Sequence, residues 1–211
     1  MVQLVPFSVV LAFFVTSVAI ELTPGPNMTY LALLSAQKGR VAGLFATFGV
    51  ALGLAIIGLL AAFGFAALVA ENLTAYEVLR WTGVLYLVWL AYDCWVDAQK
   101  APDEDNMDLP VWSYFRRGLI TNLLNPKAFL FYVTVLPSFT LPEQAYWPQA
   151  LALTAIYVTA ATVVHLAIIA GAGSLTPFFG RPALRKTMGG IFAALLVGVA
   201  IWLAFNTAQS G

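Results

Sequence analysis

Charge is what this sequence has least of. Lys, Arg, Asp and Glu make up 9% of the 211 residues while 61% are hydrophobic, against about 25% charged in a soluble domain. Such a chain cannot clothe a globule in water. Ten bases balance ten acids, so there is no basic surface of the kind that phosphate backbones attract through counterion release, and nucleic acid is excluded as a partner. Cysteine occurs once, at Cys94, which rules out an internal disulfide framework, a cysteine-built zinc or iron-sulfur site and a dithiol carrier. No cofactor is expected. The chain's main solvent is membrane lipid.

What is abundant is long apolar sequence. Residues 1–20, 41–70, 147–180 and 187–211 contain no charged side chain, and crossing the hydrocarbon takes roughly 20 mainly apolar residues. Four spans follow. A fifth runs over about 78–96, with Arg80 and Asp93 near its ends and reaching for the interface. A sixth, about Tyr114 to Leu136, is interrupted by Asn125, Pro126 and Lys127. No Lys or Arg precedes the first apolar run and no small-residue cleavage site closes it, so it is expected to be retained as a span rather than removed as a signal.

Basic residues fall in alternate loops: Lys38 and Arg40 in the first, Lys100, Arg116 and Arg117 in the third, Arg181, Arg185 and Lys186 in the fifth. The second loop, around Glu71 to Glu77, and the fourth, around Ser138 to Pro148, have none. The positive-inside rule places the odd loops in the cytoplasm and, with six spans, both termini outside. Trp81, Trp95, Trp112, Tyr146 and Trp147 lie near expected span ends, where amphipathic rings favour the headgroup layer. Asp103, Glu104, Asp105 and Asp108 crowd the third loop without the glycine and closing glutamate of a calcium loop, and fit a solvated linker better than a metal site.

The chain partly repeats itself. Pro26-Asn27 before an apolar helix recurs as Pro126-Lys127, and Leu79-Arg80 with Thr82 and Gly83 recurs as Leu184-Arg185 with Thr187 and Gly189. Both matches sit at corresponding places in two halves of three spans, 1–99 and 113–211, joined by a cytoplasmic linker, 100–112. A unit with an odd number of spans inserts its second copy upside down, the architecture of many secondary transporters. The fold class expected is an all-α integral membrane protein: six transmembrane helices as two inverted three-helix repeats, the first helix of each half broken at proline.

Leu4 to Gln37 as one helix would be ~51 Å long at 1.5 Å per residue, well beyond the ~30 Å hydrocarbon. Thr23-Pro24-Gly25-Pro26 breaks it, and Asn125-Pro126 breaks the fourth span. The first break makes either a kinked span or a hairpin returning to its own side. Unwound backbone is tolerated in a membrane only where protein packs it or it lines a cavity. Helix N-termini at the breaks would each carry roughly +0.5 of a charge, a seat for a carboxylate; alternatively the prolines only kink two helices for packing. The candidate substrate-binding residues are Pro24, Gly25, Pro26, Asn27, Asn122, Asn125, Pro126 and Lys127.

Lys127 opposes the dipole at the start of its helix, so it either awaits an anion or snorkels to the cytoplasmic face. Glu21, before the first break, either takes the ammonium of a zwitterion or carries a coupling proton; it is otherwise an outer-surface carboxylate or one held by backbone N–H groups. His165 is a candidate proton relay, or a neutral histidine bonded to a neighbouring helix. Asp93 and Asp97 read as interfacial polar residues, and Gly49 with Gly53 as a small-residue face for close helix packing.

Taken together, Leu22-Thr23-Pro24-Gly25-Pro26-Asn27, Gly39-Arg40, Ala42-Gly43 and Gly49 to Gly53 resemble the opening of the lysine exporter and homoserine/threonine resistance family of bacterial amino acid exporters. So do Gly83 with Leu85-Tyr86-Leu87, and Phe115 and Gly118 leading into Asn122-Leu123-Leu124-Asn125-Pro126-Lys127-Ala128, then Phe131, Pro137 and Phe139. The resemblance implies an inner-membrane exporter of amino acids or close derivatives that exchanges its small zwitterionic substrate against protons, often as a homo-oligomer. Competing readings are an exporter of an inorganic cation such as cadmium, for which soft ligands are scarce, and an intramembrane enzyme, for which His165 has no partner motif.

Overall fold

A computed structural model of the chain describes residues 5–22, 25–64, 72–99, 110–174 and 182–206. Every regular element there is helical: α1 (Phe7–Glu21), α2 (Pro26–Ala62), α3 (Leu73–Gln99), α4 (Val111–Leu123), α5 (Pro126–Leu130), α6 (Tyr146–Ala172) and α7 (Pro182–Asn206). α5 runs on as a π-helical turn, Phe131–Val135, and a 3-10 turn, Leu136–Phe139. Large apolar side chains lie exposed on the long helices, among them Phe7, Phe48, Leu85, Trp112, Val163 and Phe205. A surface of this kind suits lipid.

Length and composition qualify α2 and α6 as membrane-crossing helices among the described residues, and a third if α4 and the segment Lys127–Phe139 form one span bent by 54°. The remaining apolar helices are shorter or carry charge, α1 having only 15 residues. The bend after α4 has a local cause, because proline at 126 lacks the N–H that would continue the ladder.

α2 is 37 residues long but holds one non-helical residue, Gly39, at φ 84° and ψ 174°. That conformation is essentially reserved for glycine. A Cβ on Gly43 would collide with Ser35 and with Ile169 of α6, whereas residues eight apart in a straight helix are separated by about 12 Å. The two pieces of α2, 26–38 and 40–62, therefore fold sharply on each other. The first loop expected around Lys38 and Arg40 shrinks to this one residue.

α2 packs mainly on α4 and α6, α3 on α7, and α1 on α6 rather than back along α2. The α2–α4 contact is close: a Cβ on Gly49 would strike the carbonyl of Phe115, and one on Gly118 the carbonyl of Ala46. Gly53 sits against the Asn122 amide, so Gly49 and Gly53 do form a close-packing face. Gly83 of α3 meets the carbonyl of Leu124 at the second break.

Three charged positions differ from expectation. Arg116 and Arg117 lie within α4 instead of a loop; Arg117 pairs with Asp93 and sits over the Trp89 ring at 5.2 Å, which offsets the cost of placing it in an apolar helix. Arg80 does not reach outward. It is buried, donating to the Ala204 carbonyl at the end of α7 and to Glu77, both at 2.6 Å, because carbonyls at a helix C-terminus attract cations. The acidic stretch from Asp103 to Asp108, and most of the 100–112 linker, lie outside the described residues, as do the side chains of Cys94 and Asp97.

Candidate functional site

The two breaks meet. α1 ends at Glu21 and α2 starts at Pro26 behind an extended Gly25, while α4 ends at Leu123 and α5 starts at Pro126 behind Asn125. A cavity of about 10 Å³ lies between them, lined by Glu21, Gly25, Asn27, Met28, Asn125, Lys127 and Ala128. That volume holds about one water molecule.

Glu21 is buried although it is the last residue of its helix. Its Oε1 accepts from the Tyr157 hydroxyl at 2.6 Å, and its Oε2 lies 3.1 Å from His165 Nε2. His165 is buried at the same place, so the only histidine of the sequence faces the most buried carboxylate among the described residues. Tyr157 was not among the residues singled out from sequence. It shares one face of α6 with Ala161 and His165, at positions i, i+4 and i+8, and all three are buried; that periodicity was its only signal.

Lys127 neither snorkels nor points into open space. Its Nζ donates to the Ile20 carbonyl at 2.7 Å, so the ammonium that opposes the dipole of α5 complements the C-terminal end of α1. Asn125 caps its own helix, its Oδ1 accepting from the Lys127 backbone N–H at 3.0 Å. This satisfies one of the donors expected to stand free at the second break, where α5 itself spans only five residues.

Asn27 Nδ2 donates to Asn122 Oδ1 at 2.7 Å, from the start of α2 to the end of α4. Both side chains are buried, and Asn27 Oδ1 and Asn122 Nδ2 have no partner among the described residues. One acceptor, on the cavity-lining Asn27, and one donor, on Asn122 facing Gly53, are thus left over, at a cost of about 1–3 kcal/mol each if nothing meets them. Of the other sequence-derived candidates, Pro26 and Pro126 open helices, and Pro24 lies outside the described residues. Among the described residues no group of three or more His, Cys, Asp or Glu stands close enough to hold a metal ion.

A family model described as LysE type translocator matches residues 18–207, nearly the whole chain. The chain belongs to this family. The resemblance read from the Pro-Gly-Pro-Asn and Asn-Pro-Lys motifs is therefore borne out, and the LysE type translocator assignment makes the protein a membrane transporter rather than an enzyme. Similar curated proteins include an uncharacterized membrane protein of Vibrio cholerae, 31% identical over 92% of this chain and 95% of the relative. A leucine efflux protein of Salmonella typhimurium is 31% identical over 91% of this chain and 92% of its own. A homoserine/homoserine lactone efflux protein of the same species is 26% identical over 92% and 94%. No solved structure matches.

Proposed function

We propose that this translocator exports a small zwitterionic amino acid, or a close derivative, from the cytoplasm across the bacterial inner membrane, in exchange for protons and by alternating access. The observation that carries the reading is a cavity in which both helix breaks, the acid Glu21 and the base Lys127 converge. The leucine and homoserine efflux relatives support an amino acid as cargo.

The substrate carboxylate is drawn by the N-terminus of α2 and by Lys127, with Asn122 Nδ2 as a further donor; the ammonium is met by Asn27 Oδ1 or Glu21. Gly25 lets the ligand approach the backbone closely, and Asn125 with Pro126 fixes where Lys127 stands. Glu21, with His165 beside it, takes the proton of the return step. Since the cavity holds one water, substrate entry requires the breaks to separate, which is the opening step of alternating access.

Two inverted halves supply the machinery: α1 with 26–38, 40–62 and α3 in the first, and α4 with α5 and its continuation, α6 and α7 in the second. Packing and bonding both support this symmetry. α2 on α4 corresponds to α6 on α1 when the halves are exchanged, and α3 on α7 maps onto itself. Asn27 reaching the end of α4 corresponds to Lys127 reaching the end of α1. Arg40 binds the Ala170 carbonyl at 3.0 Å, which puts the basic first turn beside the end of α6, on the side the positive-inside rule makes cytoplasmic. Both termini then face the periplasm, and assembly as a homo-oligomer in the lipid is part of the same expectation.

The test uses everted membrane vesicles from cells producing the protein. With the lumen acidified, radiolabelled leucine or homoserine accumulates above the level in vesicles lacking the protein. No accumulation of either, nor of any amino acid in a wider panel, overturns the reading.

A further inference from the structure

We propose that Tyr157 is a positioning residue that ties the charge on Glu21 to the π-helical turn after the second break, so that a proton taken up at one break is felt at the other. The inference rests on the proposed role of Glu21 in proton coupling.

Tyr157 is fully buried and joins two things. At its tip, the hydroxyl donates to Glu21 Oε1 at 2.6 Å. Along its face, the ring stacks on Phe131 with centroids 3.7 Å apart and planes at 16°. Phe131 is the first residue of the π-helical turn, and its ring also lies 5.7 Å from that of Phe13 of α1, tilted by 54°. Tyr132, next in the turn, presents its ring edge-on to Tyr157 at 5.4 Å. The groups acting on Glu21 are Tyr157 and His165 from α6 and Lys127 from α5, and Tyr132 of the π turn feels the Glu21 charge.

Burying a phenol hydroxyl in apolar surroundings is costly unless it is bonded, and phenylalanine would make the same stack. The hydroxyl is thus placed for Glu21. While the carboxylate is ionised, the O–H···O⁻ bond is roughly twice as strong as its neutral counterpart, and it holds the Tyr157 ring in register with Phe131. Protonation of Glu21 puts a hydrogen on one oxygen and weakens the tether, leaving the ring positioned by stacking alone. The segment that feels this is one with two ways to bond: a π turn becomes α-helical by moving one residue past its neighbours, and such turns recur at functional sites.

The experiment is hydrogen exchange, read by mass spectrometry, on the full chain in lipid nanodiscs. Glu21→Gln mimics the protonated acid and should speed exchange of the 131–135 amides about five- to tenfold. Tyr157→Phe should do the same, and adding Glu21→Gln to it should change nothing further. Phe131→Leu, which keeps the hydroxyl bond and removes the stack, should likewise make the turn insensitive to Glu21→Gln. The proposal is overturned if Glu21→Gln leaves these amides unchanged, or if its effect survives undiminished in either background. Absence of amino acid transport in vesicles would sink the exporter reading and leave these rates standing. Proton-driven transport with insensitive rates would sink the role of Tyr157 alone.

Discussion

Asn27 donates to Asn122 across 95 residues of sequence, at 2.7 Å, and the bond joins the start of α2 to the end of α4. Lys127 makes the reciprocal reach, from the start of α5 to the end of α1. Each break therefore holds the end of the helix that leads into the other.

Replacing Asn122 with alanine strands Asn27 Nδ2 in a buried site and should cost about 1–3 kcal/mol. Replacing Asn27 as well should cost less than the sum of the single changes. Thermal unfolding in detergent of the two single variants and the double variant measures the coupling; strict additivity would show that the pair is not a tie.

Lys127→Met removes the ammonium from the cavity wall. Loss of a charged hydrogen-bonding group is worth about 1.5–3 kcal/mol, so the KM for an amino acid should rise about tenfold or more, while the corresponding amino acid amide is affected less. Equal effects on acid and amide would take Lys127 out of carboxylate recognition.

Glu21→Gln should abolish accumulation driven by an acidic lumen while leaving substrate-for-substrate exchange measurable in vesicles without a gradient, because a glutamine cannot cycle a proton. Retained proton-driven accumulation would exclude Glu21 as the coupling group.

Gly39→Ala meets no atom within 4 Å of the added Cβ, so its effect isolates backbone strain and should lower stability by about 1–3 kcal/mol. Gly118→Ala instead drives a Cβ into the Ala46 carbonyl and should cost a similar ~1–3 kcal/mol through forced separation of α2 and α4. Chemical unfolding curves compare both with the parent; a neutral Gly39→Ala would mean the turn tolerates a different backbone.

Glu21, Lys127 and His165 could each be singled out from sequence because an ionisable or titratable group in an apolar run is conspicuous by itself. Tyr157 could not, since a tyrosine in a membrane helix is unremarkable until its partner is known. Lys127 shows the limit from the other side. Its position in a first turn is visible in sequence, yet the Ile20 carbonyl that receives it comes from a helix more than a hundred residues away.

What the sequence determined by itself is what acts locally: a proline removes the N–H that would continue a helix and disfavours helical geometry in the residue before it, so the breaks at Gly25-Pro26 and Asn125-Pro126, and the preference for lipid, are written in short stretches of chain. What only the tertiary structure decided is which groups share the space between those breaks. Helix crossings fix the direction of each side chain relative to distant ones, and so Tyr157 meets Glu21, Asn27 meets Asn122, and Gly39 turns a would-be loop into a single residue.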